Sequence, residues 1–290
     1  MLPFSLPPSI TRQTTGGLQL WTDFTYRDGY RIQQHALSER WRLIDVDHCL
    51  VASGDQSTCR NALDKVRPPE NWDQINAPFT VLIHGLMRSA YCMKPMQRFL
   101  TEKGAKYVTR YSYASTRASI IRHGLALVSY VESLPRQSQI SFVGHSMGNI
   151  VLRAAIGHWK SSGDKYKVLP RMHRVVMLGP PNQGALIARR LSRTGVFGWI
   201  NGPGGLELGE HWKQIEGKLS PPPCPFAILA GDLSTNWLRN PLLGPASDLL
   251  VCVEEAKLDG STEFVTMPIP HALLMTDSRA LEYTAKFLLS

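Results

Sequence analysis

The sequence of 290 residues predicts an α/β fold with a mostly parallel central sheet flanked by helices. Three observations favour this class. From residue 77 onward, short apolar runs alternate with amphipathic helical stretches, as in parallel strands joined by crossover helices. Residues 79–83 are apolar and β-branched, which is typical of a strand buried on both faces. The composition, 43% hydrophobic and 19% charged, is that of an ordinary globular protein.

The elements follow from hydrophobic periodicity and from turn residues. Strands of the central sheet are predicted at residues 79–83, 107–111, 139–143, 174–178, 226–230 and 263–267. Helices are predicted at residues 57–66, 89–103, 115–134, 149–159 and 277–289. Gly104 and Pro135 follow two of these helices as stop signals, and Asp277 is placed to cap the last one.

Two parts of the chain depart from the alternating pattern. Residues 1–76 form an N-terminal extension in which residues 30–37 and 40–46 alternate in polarity, which predicts a β-hairpin packed on the sheet edge. Residues 77–290 form the main domain. Within it, residues 195–223 are rich in Gly, Pro and Trp and do not fit a simple crossover, so we predict a small lid or cap insertion.

The bulk properties argue against several classes of protein. The formal charge is +9, but the basic residues are scattered and accompany no nucleic-acid motif, so we expect no nucleic-acid partner. Weak association with a membrane surface stays open. Five cysteines without C-x-x-C spacing predict reduced thiols and no metal site. Neither a signal peptide nor a transmembrane segment is evident, which predicts a cytoplasmic protein.

The motif G-x-S-x-G carries the clearest chemistry. It reads Gly144-His145-Ser146-Met147-Gly148 and lies between a predicted strand and a predicted helix, which is the setting of a nucleophile elbow. The strained turn needs glycine on both sides, because a Cβ would clash there. Such a turn lifts one serine hydroxyl above the sheet, so Ser146 is the candidate nucleophile.

A serine nucleophile needs a histidine base, which in turn needs a carboxylate. Of nine histidines, only His271 follows the later strands, as the chain order Ser, Asp or Glu, His requires. Two aspartates compete for the third role. Asp232 comes directly after the strand at residues 226–230, whereas Asp248 precedes an apolar run farther along the chain. The residues alone leave both aspartates open.

The oxyanion of an acyl-transfer intermediate needs two fixed hydrogen-bond donors. One is expected to be the backbone N–H of Met147, the residue after the nucleophile. The second should come from the loop that follows the first central strand, which reads His84-Gly85-Leu86. Gly85 lets the chain approach the substrate, and Leu86 presents its N–H.

These motifs resemble the α/β-hydrolase superfamily, in particular its bacterial lipase and esterase branch. The resemblance covers about residues 77–290 and includes His84-Gly85, which is similar to the lipase HG-x motif. It also includes residues 179–184, which are similar to a G-x-P-x-x-G segment of triacylglycerol lipases. In such lipases S-x-D precedes an apolar run, the last strand and the histidine, which implies Asp248 rather than Asp232 as the acid. Asn149 departs from the pattern, because many lipases have a second glycine there.

The resemblance implies a serine hydrolase that cleaves carboxylic esters through an acyl-enzyme on Ser146. Such an enzyme needs neither a metal nor an organic cofactor, and its partner is a small-molecule or lipid ester. The same triad would serve an acyltransferase, a thioesterase or an amidase. A catalytically silent hydrolase-like binding protein is the alternative from another class. Neither the natural substrate nor the oligomeric state follows from the sequence.

Overall fold

The computed structural model describes residues 19–66, 72–188, 196–234 and 246–290. It contains a six-stranded sheet whose neighbouring strands are all parallel, and a separate four-stranded antiparallel sheet near the N-terminus. The strands are β1 Trp21–Arg27, β2 Tyr30–His35, β3 Trp41–Ile44, β4 Leu50–Gly54, β5 Phe79–Ile83, β6 Tyr107–Tyr111, β7 Ile140–His145, β8 Met172–Leu178, β9 Phe226–Gly231 and β10 Glu263–Met267. The predicted fold class is confirmed.

Helices cover both faces of the parallel sheet, which has the strand order β10-β9-β8-β7-β5-β6. The helices are α1 Gln56–Lys65, α2 Lys94–Glu102, α3 Ile120–Glu132, α4 Met147–Ser162, α5 Val196–Leu208, α6 Trp212–Ile215, α7 Val253–Ala256 and α8 Ser278–Leu289. Val81 points to the core shared with α3 and α4, whereas the next residue, Leu82, points to the core shared with α2 and α8. Every residue of β5, β7 and β9 is therefore buried.

The helix predicted at residues 115–134 begins later, at Ile120. The side chain of Ser119 accepts a hydrogen bond from the N–H of Arg122 at 3.2 Å and caps this helix. The hydroxyl oxygen of Ser115 instead accepts a hydrogen bond from the backbone N–H of Met87 at 3.0 Å, so Ser115 lies in a loop before the helix. Helical periodicity does not reveal such a contact, which explains the error in the predicted start.

The predicted hairpin is confirmed as β2 and β3, with Arg31 opposite Ile44. The structure adds β1 and β4 on its two sides, so the four strands form a sheet of their own. The N–H of Asp23 donates to the carbonyl of Ser112 at 2.8 Å, and the N–H of Ser112 donates to the Asp23 carboxylate at 2.8 Å. Because Ser112 directly follows the edge strand β6, these bonds hold the antiparallel sheet beside that edge.

The region predicted as a lid or cap lies between β8 and β9, and its first residue, Gly195, falls outside the described residues. Residues 196–218 form α5, α6 and a short 3₁₀ turn, with a break in α5 where Gly202 has φ 66°. The Glu207 carboxylate accepts a hydrogen bond from the N–H of Ile120 at 2.5 Å, which ties α5 to the start of α3. None of the helices in the described ranges combines the length and the apolar character that crossing a bilayer requires.

The packing of Gly148 gives a stability prediction. A Cβ on this residue would lie 2.5 Å from the carbonyl oxygen of His84 and 2.6 Å from that of Ile83. Gly→Ala inside a helix normally stabilises by about 1 kcal/mol, but here the overpacking should destabilise by about 1–3 kcal/mol. We expect Gly148→Ala to lower the melting temperature measured by calorimetry.

Gly217→Ala is the matched control, because a Cβ there would meet no atom within 4 Å. Its melting temperature should equal that of the wild type or exceed it slightly. A Gly148→Ala protein as stable as the Gly217→Ala protein would contradict the packing argument.

Candidate active site

Ser146 lies between β7 and α4 in a backbone conformation that L-residues rarely adopt, with φ 53° and ψ −128°. Its N–H donates to the carbonyl of Leu178 at 2.9 Å, which anchors the turn to the neighbouring strand β8. A non-glycine residue at positive φ is strained and persists only where the surroundings enforce it. The strand, strained serine and helix are the geometry of a nucleophile elbow.

The glycines around Ser146 are required by close contacts. A Cβ on Gly144 would overlap the side-chain amide of Asn149, and a Cβ on Gly148 would overlap the backbone at the end of β5. Asn149, which departs from the lipase pattern, is fully buried and donates from Nδ2 to the carbonyl of Ser146 at 3.1 Å. It therefore braces the strained turn from inside α4.

The structure brings Asp248 and His271 into direct contact. The distance between Asp248 Oδ2 and His271 Nδ1 is 2.6 Å, and both side chains are buried. The backbone N–H of His271 also donates to the carbonyl of Asp248 at 2.9 Å. The other carboxylate oxygen accepts from the N–H groups of Leu250 at 3.0 Å and Val251 at 2.7 Å. These bonds fix both the carboxylate and the ring, so that Nε2 is the nitrogen left for proton transfer.

Asp232, the other candidate acid, makes a different contact. Its Oδ1 accepts a hydrogen bond from the N–H of Ser234 at 2.9 Å, which is the pattern of an aspartate that closes a turn. Within the described ranges, no hydrogen bond or ion pair joins Asp232 to His271. The geometry therefore favours Asp248 as the partner of the histidine.

Glycines also make room for the Asp248–His271 pair. A Cβ on Gly179, at the end of β8, would lie 3.0 Å from His271 Nδ1 and 3.1 Å from Asp248 Oδ2. A Cβ on Gly231, at the end of β9, would lie 2.5 Å from the Cβ of Asp248. Gly179 begins the segment that resembles the lipase G-x-P-x-x-G stretch. The close approach of Asp248 and His271 explains why glycine stands at this position.

His145 holds the backbone of His271 in position. Its Nε2 donates to the carbonyl of His271 at 3.0 Å, and the two rings lie 4.8 Å apart. Burial, followed by the charge of His271, holds the pKa of His145 well below its usual range. His145 is therefore a neutral positioning residue. Its place inside the motif gave no sign of this contact, because the contact joins residues 126 positions apart.

The His84-Gly85-Leu86 loop lies directly beside the elbow. A Cβ on Gly85 would lie 3.0 Å from the Cβ of Ser146, a tight contact that glycine avoids. The N–H of Leu86 and that of Met147, the first residue of α4, have no hydrogen-bond acceptor within the described part of the chain. Both donors are therefore available at the elbow, as an oxyanion hole requires.

His84 holds that loop in place and is not exposed to the site. Its Nδ1 donates to the carbonyl of Gly85 at 2.9 Å, and its ring stacks on Tyr113 at 4.3 Å. The hydroxyl of Tyr113 donates to the carbonyl of His84 at 2.7 Å. Burial lowers the pKa of His84 to about 4, which keeps the imidazole neutral.

A buried arginine that the sequence reasoning missed anchors the next loop. Arg153 of α4 donates from Nη1 to the carbonyl of Asn182 at 2.8 Å and to its side-chain oxygen at 3.2 Å. The Nδ2 of Asn182 donates to the carbonyl of Ala256 at 2.8 Å. The segment after β8 is thus fixed from two sides. The sequence indication of this contact was an arginine inside an otherwise apolar helical run.

A cavity of about 240 Å³ opens above Ser146. Its lining is mostly apolar and includes His271, Leu208 of the insertion, and Leu250 and Val251 of the loop that carries Asp248. Among the described residues, Arg88 is the only ionisable lining residue besides the two histidines. The lining residues are Leu86, Met87, Arg88, His145, Ser146, Pro181, Ala185, Ile187, Ala188, Leu208, Leu250, Val251 and His271.

Ser146 and His271 therefore face one space, although no hydrogen bond joins their side chains within the described residues. Nucleophile–base hydrogen bonds are often long before substrate binds and tighten in the reacting complex. The structure thus brings together the serine, the histidine and the carboxylate predicted from sequence, with the Asp248–His271 contact already formed.

Comparisons with known proteins agree with this geometry. Residues 76–180 match a family model described as "Putative serine esterase (DUF676)". The mature form of lipase BlEst2 from Bacillus licheniformis superimposes with a TM-score of 0.57 at 16% identity, covering 78% of this chain and 95% of that one. The metagenomic carboxyl esterase MGS0156 gives a TM-score of 0.55 at 16% identity, covering 76% and 77%. No curated protein sequence matches the chain.

The solved structures show that the chain shares its fold with these enzymes. The family match, which includes the His84-Gly85 loop and the elbow, supports ester hydrolysis as the general activity.

The two aspartates give a direct test of the site. Asp248→Asn keeps the shape of the side chain but removes the charge that stabilises the His271 imidazolium, so the turnover of a p-nitrophenyl ester should fall by about 10⁴-fold. Asp232→Asn should leave turnover close to that of the wild type. Steady-state kinetics on both variants make the comparison, and a larger loss in Asp232→Asn would contradict the assignment.

Proposed function

We propose that this chain, which has the α/β-hydrolase fold, is a serine esterase that cleaves carboxylic esters through an acyl-enzyme on Ser146. One observation carries the proposal. Ser146 sits in the strained turn between β7 and α4 and shares a cavity with His271, whose Nδ1 lies 2.6 Å from Asp248. That arrangement supplies a nucleophile, a base and a group that orients the base.

In the first half of the proposed reaction, Ser146 Oγ attacks the ester carbonyl carbon while His271 Nε2 takes the hydroxyl proton. Asp248 stays ionised and holds the Nδ1–H of the imidazolium. The C–O bond to the alcohol then breaks, and His271 returns the proton to the leaving oxygen. In the second half, water attacks the acyl-enzyme with His271 again as the base, which releases the acid and restores Ser146.

The negative charge on the carbonyl oxygen is stabilised by the N–H groups of Leu86 and Met147 in this proposal. Gly85 brings the first donor to the elbow, and the second lies at the N-terminus of α4, where the helix dipole also favours an anion. Removing one such donor usually lowers turnover by about 10²–10³-fold. Since both donors belong to the backbone, only substitution by proline would remove either one.

The cavity lining favours an apolar acyl group. Ala185, Ile187 and Ala188 line one part of the cavity, and Leu208 from α5 lines it as well. We propose that residues 195–223, which include α5, form the lid or cap of the site. The cavity of about 240 Å³ is smaller than a typical drug-sized pocket of about 300–1,000 Å³, so short or medium acyl chains fit best.

The nucleophile is tested by covalent labelling. A fluorophosphonate probe should label the wild type and leave Ser146→Ala unlabelled, and that substitution should reduce ester turnover by about 10⁶-fold. Ser129→Ala, at an exposed position of α3, is the control and should keep both properties. A folded wild type that takes no label would favour the catalytically silent binding protein.

The acyl pocket is tested by narrowing it. Ala188 is buried in the cavity lining, and Ala188→Leu should reduce kcat/KM for longer p-nitrophenyl esters by about tenfold relative to the acetate. Activity on the acetate should persist because its acyl group does not reach that wall. An equal loss across the series from acetate to palmitate would place the acyl chain elsewhere.

Product analysis with an added alcohol distinguishes hydrolysis from acyl transfer.

A further inference from the structure

A second, smaller cavity lies where the antiparallel sheet meets the edge strand β6. It measures about 140 Å³ and is called here the junction cleft. Its lining includes Arg31 of β2, His48 from the loop before β4, Gln97 of α2, and Thr109 and Arg110 of β6. None of its lining residues belongs to the cavity above Ser146.

The junction cleft gathers cationic groups without a matching acid. Among the described residues, no aspartate or glutamate lines it. The nearest ion-pair partner is Asp23, whose Oδ2 lies 4.0 Å from Arg31 Nη1. That carboxylate already accepts hydrogen bonds from Gln33 Nε2 at 2.6 Å and from the N–H of Ser112 at 2.8 Å. Asp23 therefore lies at the limit of ion-pair distance from Arg31 and is not part of the cleft lining.

Arg110 has even less compensation. Its Nη1 donates to the carbonyl of Ala90 at 3.2 Å, and its guanidinium lies 5.7 Å from the ring of Tyr91. Within the described chain, no carboxylate lies within ion-pair distance of it. Burial, followed by the charge of Arg31, lowers the pKa of Arg110. Two guanidinium groups thus repel each other across one small cavity.

The imidazole of His48 lies in the positive field of Arg31 and Arg110. Arg31 Nη2 lies 3.2 Å from both ring nitrogens of His48. Burial first, and then Arg31 and Arg110, lower the pKa of His48 to about 4, with Asp45 opposing and Arg42 adding to the shift. A side chain exposed by only 11%, as that of Arg31 is, receives little screening from water. The field is therefore a property of the cleft and not of the general surface.

We propose that the junction cleft binds a phosphate-class oxyanion, such as a phosphate monoester or the phosphate of a lipid headgroup. Guanidinium groups present several N–H donors in a plane and are well suited to phosphate oxygens. An anion held between Arg31 and Arg110 would relieve their mutual repulsion and accept hydrogen bonds from their guanidinium N–H groups. Thr109 and Gln97 line the same cavity but already pair within the protein, Thr109 Oγ1 with the hydroxyl of Tyr130 and Gln97 Nε2 with the carbonyl of Val108, so the two arginines are the donors left for the anion.

Calorimetric titration with inorganic phosphate and with sulfate, at fixed ionic strength set by chloride, tests the site in the full chain. The wild type should bind one anion saturably, and Arg110→Gln should weaken binding by about tenfold or more, as the loss of a charge-assisted hydrogen bond does. Arg98→Gln removes an exposed charge of α2 that does not line the cleft, and it should bind as the wild type does.

Retention on phosphatidylcholine vesicles with and without phosphatidate distinguishes a lipid headgroup from a free phosphate ester as the bound anion. Retention of the wild type on phosphatidate vesicles, lost in Arg110→Gln and kept in Arg98→Gln, would assign the cleft to a lipid headgroup. Binding of phosphate without vesicle retention would assign it to a free phosphate ester. The proposal is overturned if the wild type binds neither, or if a correctly folded Arg110→Gln protein, checked by circular dichroism, binds both anions as tightly as the wild type.

Discussion

The buried hydrogen bond between Asp248 and His271 is the contact on which the rest of the site depends. The two residues come from separate loops, one after β9 and one after β10, and the parallel sheet brings both to the same edge as Ser146. The loops can approach only because the strand ends leave space. A side chain at Gly179 would crowd the pair, and one at Gly231 would press on Asp248 itself. Backbone proximity is thus the constraint, and the glycines satisfy it.

The same constraint explains the donor side of the site. Gly85 admits the loop that carries Leu86, and Gly148 lets α4 begin against the end of β5. The strained φ of Ser146 follows from this packing, as do the N–H groups of Leu86 and Met147, which have no acceptor among the described residues. The oxyanion site that we propose is therefore preorganised. His145 adds a buried, neutral support beneath the base. The proposed chemistry therefore rests on backbone placement more than on surface side chains.

Local pattern was enough to predict the parallel sheet, the elbow and the histidine. Strand 79–83 matches the structure residue for residue, because a run of five mostly apolar residues rich in β-branched side chains favours a buried strand over a helix. The residues alone did not decide between Asp232 and Asp248, since both follow the strands of the sheet and only the fold shows which one meets His271. The contact between His145 and the His271 carbonyl was missed for the same reason. Strands β1 and β4 were also missed, because their alternation in polarity is weaker than that of β2 and β3.

We propose that ester cleavage passes through an acyl group on Ser146. The most direct measurement is acid quench of the wild type during turnover of a p-nitrophenyl ester, followed by peptide mass spectrometry. We expect an acyl adduct on the peptide that contains Ser146, formed in the same burst as p-nitrophenol. Full ester turnover with no adduct on that peptide, or with the adduct on another residue, would contradict it.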